Sequence, residues 1–215
     1  MAKSASRRGQ GRPRSTERDA GRSRAELIDA GVAVFAERGY SGASVEEVLR
    51  RAQLSKGTFY FNFKGKEDLF AAVIHERIDQ PARDLMRVTA EAPGDTPTSG
   101  TVSAGLADLL RTQRTPLLLL NEYWSQAVRD PALAARYRER QTALRDALAT
   151  ALAARHEHTG VPLTIDAHRL AEAFISLAVG LAYDSMIDPG AVDDALFGDI
   201  LSLVYDGLVA RARES

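Results

Sequence analysis

Apolar residues recur along this chain at three- and four-residue intervals, and no segment alternates with the period of two that a half-buried strand requires. From about Arg22 to Arg38, Leu27, Ala30, Gly31, Val34 and Phe35 form one stripe, with Gly39 placed to end the helix. Ser44 then precedes Val45, Val48, Leu49 and Ala52, and Glu47 stands at the spacing of a reciprocal capping box. After a turn at Gln53-Leu54, Ser55 is placed to cap a second short helix. There Phe59 and Phe63 are the apolar anchors, and Lys56, Thr58, Tyr60 and Asn62 are polar. Gly65 breaks the chain, and Lys66-Glu67-Asp68-Leu69 opens a new helix with acids in its first turn, where the macrodipole favours them.

That helix is expected to run to about Thr89 with Leu69, Phe70, Val73, Ile74 and Ile78 inward, and Pro81 should kink or split it. Residues 91–100 mix Pro, Gly, Thr, Ser and Asp and read as a loop. Further helices are expected at about 101–112, 116–129 and 131–158, with breaks at Asp130-Pro131 and at Thr159-Gly160-Val161-Pro162. Two apolar helices, about 165–187 and 191–213, flank Asp188-Pro189-Gly190 and close the chain. The fold class is all-α, with about nine helices.

Composition narrows the function. The chain has 215 residues, is 45% hydrophobic and has no Cys, which excludes disulfides and thiolate chemistry. No uninterrupted apolar run, Pro116 to Leu120 included, approaches the length needed to span a membrane, and the basic N-terminus lacks the apolar segment of a secretory signal. A reduced cytoplasmic setting fits. The net charge of −1 hides an asymmetry: residues 1–77 carry 15 Lys and Arg against 10 Asp and Glu, the remainder 13 against 19. A basic front and an acidic back point to a polyanion meeting the front alone. Residues 1–21 are rich in Arg, Gly and Ser with little to bury, and read as a disordered basic arm. Within it, Gly11-Arg12-Pro13-Arg14 resembles the core of an AT-hook, whose arginines enter a narrow A·T minor groove. The other reading is a solubilising tail.

The stretch from Ser44 to Leu69 resembles the helix-turn-helix of the TetR family of bacterial transcriptional regulators. The residues that carry the likeness are Ser55-Lys56-Gly57-Thr58, Tyr60-Phe61, Phe63, Lys66-Glu67 and Leu69, extending back through Leu27 to Gly39-Tyr40. Gln53 replaces the usual Gly of the turn, at a cost of about 1–2 kcal/mol if left-handed, and Leu49 replaces a frequent Ala. The resemblance implies a DNA-binding domain over 22–80 and a ligand-binding and dimerisation domain over 81–215. It implies base contacts for Lys56, Thr58 and Asn62, and phosphate contacts for Ser44, Tyr60, Lys64 and Lys66. Ser55 and Gly57 join them in the motif, and Arg12 and Arg14 from the arm. Helix N-termini at Ser44, Ser55 and Gly65 add backbone N–H groups for phosphate. Tyr40 is placed either near the DNA backbone or packed on the first helix.

The resemblance further implies a homodimer on a palindromic DNA operator, its half-sites about 34–36 Å apart, released by a small-molecule effector; no cofactor is expected. Candidate effector contacts are Asn121, Tyr123, Trp124, Tyr137, Phe174 and Tyr183, each also readable as ordinary core. The wide apolar faces of the last two helices, through Leu170, Phe174, Leu177, Leu181, Leu196, Ile200, Leu203 and Val204, fit a four-helix dimer interface or a monomeric core.

Enzyme chemistry finds no support. His156 and His158 are two residues apart, which does not put them on one helix face, and neither a phosphate-cradling Gly loop nor a nucleophile elbow occurs. No metal site is expected. The competing class is a helical interaction or sequestering protein with a vestigial DNA-binding head; a steep salt dependence of DNA binding discriminates the two.

Overall fold

A computed structural model describes residues 14–93, 99–160, 163–188, 190, 193 and 195–214. Among these there are ten α-helices and no strand: α1 (Arg14–Gly42), α2 (Val45–Ala52), α3 (Lys56–Asn62), α4 (Lys66–Ile74), α5 (Gln80–Glu91), α6 (Ser99–Thr112), α7 (Arg114–Ala127), α8 (Pro131–Thr159), α9 (Ala167–Ile187) and α10 (Leu196–Glu214). A π-helical turn, His75–Asp79, precedes α5. The chain forms two compact units, one ending at Val73 and one beginning at Ile74, ahead of the expected boundary at 80/81.

The first unit is a head built on the expected stripe. Leu27, Ile28, Val34 and Phe35 of α1 are buried with Val48 of α2, Phe59 of α3, and Leu69, Phe70 and Val73 of α4. Gly31 lets α1 and α4 approach closely, since a Cβ there would sit 3.2 Å from a Leu69 methyl. The helical geometry of α1 is interrupted at Gly39, whose φ is 69°. The Tyr40 ring that follows packs on Phe35 and Phe70, with centroids 6.2 and 4.7 Å away. The helix begins at Arg14 rather than Arg22, so residues 14–21 are helical where disorder was expected. Arg12 lies outside the described residues, and Arg14 is described only as the first helical residue of α1.

The second unit begins with the π-turn. Gln80 donates its N–H to the carbonyl of His75, five residues back. Pro81 follows and has no N–H to offer residue 77, so the wider turn accommodates the missing bond. The break expected at Pro81 thus falls just before it. Further on, α5 and α8 run in the same direction, tied at both ends by arginines of α8. Arg140 holds Asp79, while Arg155 donates to the carbonyls of Ala92 and Pro93 at 2.7 and 2.8 Å, where a helix C-terminus favours a cation. Gly105 of α6 lies against Leu85 of α5, where a Cβ would come within 2.7 Å. Asp130 caps α8, Gly160 ends it with φ 68°, and Asp166 caps α9.

A second core lies between α9 and α10, made of Leu170, Phe174, Phe197 and Leu208. This corrects part of the expected dimer surface, because Leu170 and Phe174 are buried within the single chain. Leu177, Leu181 and Val204 pack against the same core half-buried, as do Val102 and Leu106 of α6. Leu196 and Ile200 are also half-buried, and Leu203 is 71% exposed. The reading that nothing here is long enough to span a membrane needs correction too. By length and by a mean hydropathy of 1.5, α9 meets that requirement. The uninterrupted-run criterion missed it because Arg169, Glu172 and Asp184 interrupt the run.

Candidate nucleic-acid interface

The geometry of the interface begins with two caps. Ser44 accepts the N–H of Glu47 at 3.3 Å and donates its own N–H to the Glu47 carboxylate at 3.2 Å, the reciprocal box read from the sequence. The Ser44 hydroxyl, which donates to the same carboxylate at 3.0 Å, holds the Glu47 carboxyl below its usual range, with the Ser44 N–H, Arg38 and Arg50 adding to the effect. The turn out of α2 is made by Gln53 in the left-handed region at φ 56°, the conformation the usual Gly would adopt freely. Ser55 caps α3 by accepting the Thr58 N–H at 3.1 Å.

Phe59 and Phe63 are buried and hold α3 against the head; the Arg24 guanidinium lies 5.4 Å over the Phe63 ring. Their i, i+4 spacing turns the rest of the helix outward. Lys56 and Gly57 are exposed, Tyr60 is 59% exposed and Phe61 78% exposed. Thr58 shares a hydroxyl hydrogen bond with Ser55 at 2.9 Å, and Asn62 is turned back, donating to the Thr58 carbonyl at 2.8 Å. Lys56 Nζ meets the Glu46 carboxylate of α2 at 3.0 Å. That hydrogen bond raises the Lys56 ammonium above its ordinary value and lowers Glu46 below its own.

The two expected phosphate lysines differ. Lys64 is exposed, its backbone N–H donated to Asp68 at 2.9 Å. Lys66 is turned inward: its Nζ donates to the carbonyls of Tyr40, Ser41 and Ala43 at 2.9, 3.4 and 3.0 Å and sits 4.8 Å over the Tyr40 ring. An ammonium has three protons, and all are engaged by the end of α1. In this arrangement Lys66 is therefore a structural pin rather than a phosphate contact.

The structure thus brings Ser55, Lys56, Gly57 and Tyr60 together on one exposed face, with Thr58 half-buried beside them, and adds Phe61, to which the sequence reading assigned no role. The spacing of Phe59 and Phe63 held that signal, since a residue midway between two i, i+4 anchors points away from them.

Residues 27–73 match the sequence profile described as bacterial regulatory proteins, tetR family, and residues 101–209, about half of the chain, match the BetI-type transcriptional repressor C-terminal profile. The chain belongs to the TetR family. Members of this family are DNA-binding transcriptional regulators, and at the family level they are dimeric and bind small molecules. Among curated relatives it is 29% identical over 120 residues to the transcriptional repressor DhaR of Mycobacterium sp. (strain GP1), covering 47% of this chain and 61% of that protein. It is 33% identical over 99 residues to the transcriptional activator FasR of Mycolicibacterium smegmatis, covering 42% and 45%. These matches span less than two thirds of the relatives' own lengths. The TetR-family fold itself is shared with Salmonella enterica GusR, at a TM-score of 0.69 and 21% identity over 87% of this chain and 95% of that one. It is shared likewise with Bacillus subtilis FadR, solved in complex with stearoyl-CoA, at 0.64 and 20% over 86% and 96%.

The residues expected at an effector site are not assembled into one lining. Tyr123 is buried on α7 with its ring 5.9 Å from that of Tyr137 on α8, and Tyr183 of α9 lies within electrostatic reach of Tyr137. Asn121 and Trp124 are exposed on α7, Trp124 by 50%, and Phe174 belongs to the core between α9 and α10. Tyr123 and Trp124 are neighbours in sequence and so lie about 100° apart around a helix, which turns only one of them inward.

Proposed function

We propose that this protein is a homodimeric repressor that reads a palindromic DNA operator through α3 and leaves it when a small molecule binds the second unit. The observation that carries the DNA reading is the outward face of α3. Two buried phenylalanines hold a seven-residue helix so that a lysine, a glycine and two aromatic rings face solvent together, with a half-buried threonine beside them. Such a helix, entered from capped N-termini, has the donors, hydroxyls and apolar surface that a major groove recognises. On this reading Lys56 and Thr58 meet base edges, while Ser44, Tyr60 and Lys64 meet phosphates. Residues 22–80 act as the DNA-binding domain, residues 81–215 as the ligand-binding and dimerisation domain, and the basic arm with Arg12 and Arg14 contacts the duplex.

Support for a dimer comes from α9 and α10. Over the most apolar window of α9 only 22% is buried. Ala173, Ser176 and Gly180 line its exposed side, and Ile187 and Leu203 are large apolar groups in solvent. Small exposed residues beside unburied apolar ones suit close packing against a second copy. Repression is supported by the description of the C-terminal profile and by the name of DhaR. The stearoyl-CoA bound to FadR supports an effector inside this fold. The protein then works in the bacterial cytoplasm.

The test is selection of bound genomic fragments by the purified protein at physiological salt, followed by binding to the selected duplex across a salt series. A two-fold symmetric motif and a steep fall of affinity with salt are expected. A flat salt response, or no enriched sequence with or without cell extract, would favour the sequestering protein instead.

A further inference from the structure

Among the described residues the second unit buries one carboxylate, that of Asp79, which is 5% exposed and ends the π-turn. Arg140 of α8 grips it from two directions, Nε to Oδ2 at 3.0 Å and Nη2 to Oδ1. A buried ion pair adds little to stability, because desolvation of both charges offsets their attraction. Its surroundings supply a use. Tyr137, on the same face of α8 as Arg140, accepts a long hydrogen bond from Gln141 at 3.5 Å and keeps its own proton to donate. Tyr183 of α9 lies within electrostatic reach of both Tyr137 and Arg140, and burial raises both phenols above their ordinary value, so both remain donors. Arg83 follows Asp79 by four residues, which puts it on the same helix face, and its Nε is buried without a hydrogen-bond partner.

The cluster is therefore rich in donors and poor in acceptors. It holds the Arg140 guanidinium, two phenol O–H groups and a carboxamide, against one carboxylate already engaged, with Arg83 one helical turn after Asp79. Arg140 commits two of its five N–H groups to Asp79. An arriving group that satisfies such a set is itself an acceptor, and a carboxylate matches the guanidinium fork. A cation would meet the Arg140 guanidinium.

We propose that this cluster binds a small molecule bearing a carboxylate, which takes the place of Asp79 on Arg140 and is held by Arg83, Tyr137 and Tyr183. The proposal rests on the reading of the second unit as ligand-binding. Displacing Asp79 unties the π-turn from α8 at the end of α5 where Arg140 holds it, while Arg155 still holds the other end. A π-turn is a segment with an alternative α-helical hydrogen-bond register, so the exchange offers two arrangements of the backbone just before α5.

The test uses the full chain with benzoate and hexanoate as probes, and benzamide, benzyl alcohol and benzylamine as neutral and cationic counterparts. Thermal shift and release of the selected duplex are the readouts. The carboxylates are expected to act at concentrations about tenfold or more below the amide and alcohol. Arg140→Lys is expected to weaken them by about tenfold, since Lys cannot reproduce the planar fork. Asp79→Asn, which removes the competing charge and keeps the shape, is expected to tighten them. If Arg140→Lys fails to fold, Tyr183→Phe serves in its place, expected to weaken carboxylates several-fold with an unchanged Tm. Equal response to amide, amine and acid, no response to the acids, or indifference of the acids to these variants overturns the proposal. Salt-dependent DNA binding with no carboxylate response leaves the regulator standing and removes the ligand class. Absence of binding to any duplex removes the underlying reading and the proposal with it.

Discussion

Lys66 Nζ lies 2.9 Å from the carbonyl oxygen of Tyr40 and 4.8 Å from the centroid of the Tyr40 ring. The first residue of α4 therefore closes the end of α1, and the same ammonium reaches Ser41 and Ala43. These carbonyls follow the break in helical geometry at Gly39. Replacing Lys66 by Met keeps the aliphatic stem and removes the charge. The variant is expected to lose about 1–3 kcal/mol of head stability in a denaturant series. The folded fraction should retain the wild-type salt slope of DNA binding. An unchanged Tm with a slope reduced by about one would instead restore Lys66 as a phosphate contact.

Gly57 is the second residue of α3 and has no close neighbour: a Cβ there would lie 3.7 Å from Ser55 Oγ, an ordinary contact. Nothing inside the head requires a glycine, and glycine costs about 1 kcal/mol relative to alanine in a helix. Gly57→Ala is expected to stabilise the free protein by up to about that amount and to weaken operator binding, because the added methyl stands where the duplex approaches. Thermal melting and a binding titration of the same preparation check both signs; an Ala variant that bound DNA normally would remove Gly57 from the interface.

The Lys56–Glu46 pair is fully exposed, so it contributes little to folding. It does hold the lysine that the DNA reading needs. Glu46→Gln should leave Tm unchanged and tighten binding to any duplex at low salt, measured by fluorescence anisotropy. The pair also sets a pH direction. Glu46 titrates below its ordinary value of 4.5, so the latch is intact at neutral pH and is lost only as pH falls through that lowered value. The effect of Glu46→Gln should therefore be constant between about pH 6 and 8; a strong dependence there would point to another group.

Phe61 is 78% exposed beside Tyr60, a costly place for a phenyl ring unless something covers it. Phe61→Ala is expected to leave the melting temperature within a degree or two and to lower operator affinity by about tenfold, equivalent to about 1.4 kcal/mol. The largest loss should fall on sites with thymine at the contacted position, whose methyl offers an apolar surface. Equal affinity of the variant for its operator would show that the ring faces solvent in the complex as well.

Leu203 on α10 is 71% exposed, whereas Leu208, on the same helix, is buried. Leu203→Glu should convert a dimer into a folded monomer, seen by sedimentation at micromolar concentration. Leu208→Ala should instead lower stability by about 2–5 kcal/mol, the range for a buried leucine. A Leu203→Glu variant that remained dimeric would place the interface elsewhere.

The periodicity of apolar positions, the caps at Ser44 and Ser55, and the anchors Phe59 and Phe63 were legible in the sequence because they depend on neighbours within a turn or two. Local chemistry of this kind determined an all-α chain with a helix-turn-helix near its front, whereas the left-handed conformation of Gln53, where the resembled family usually has Gly, shows only in the folded turn. Tertiary structure decided what local chemistry does not set. Lys66 turns inward because the chain around the end of α1, more than twenty residues earlier, brings the carbonyls of Tyr40, Ser41 and Ala43 within its reach. Tyr123 is buried and Trp124 exposed because α8 covers one side of α7. Leu170 and Phe174 fill a core with Phe197 and Leu208 because α9 packs on α8 and α10 on α6, and all four helices contribute to that core. Asp79 and Arg140, sixty-one residues apart, meet because α5 and α8 run side by side. Each is a pairing between distant segments. A single sequence shows which side chains are able to pair, and only the packed helices select which ones do.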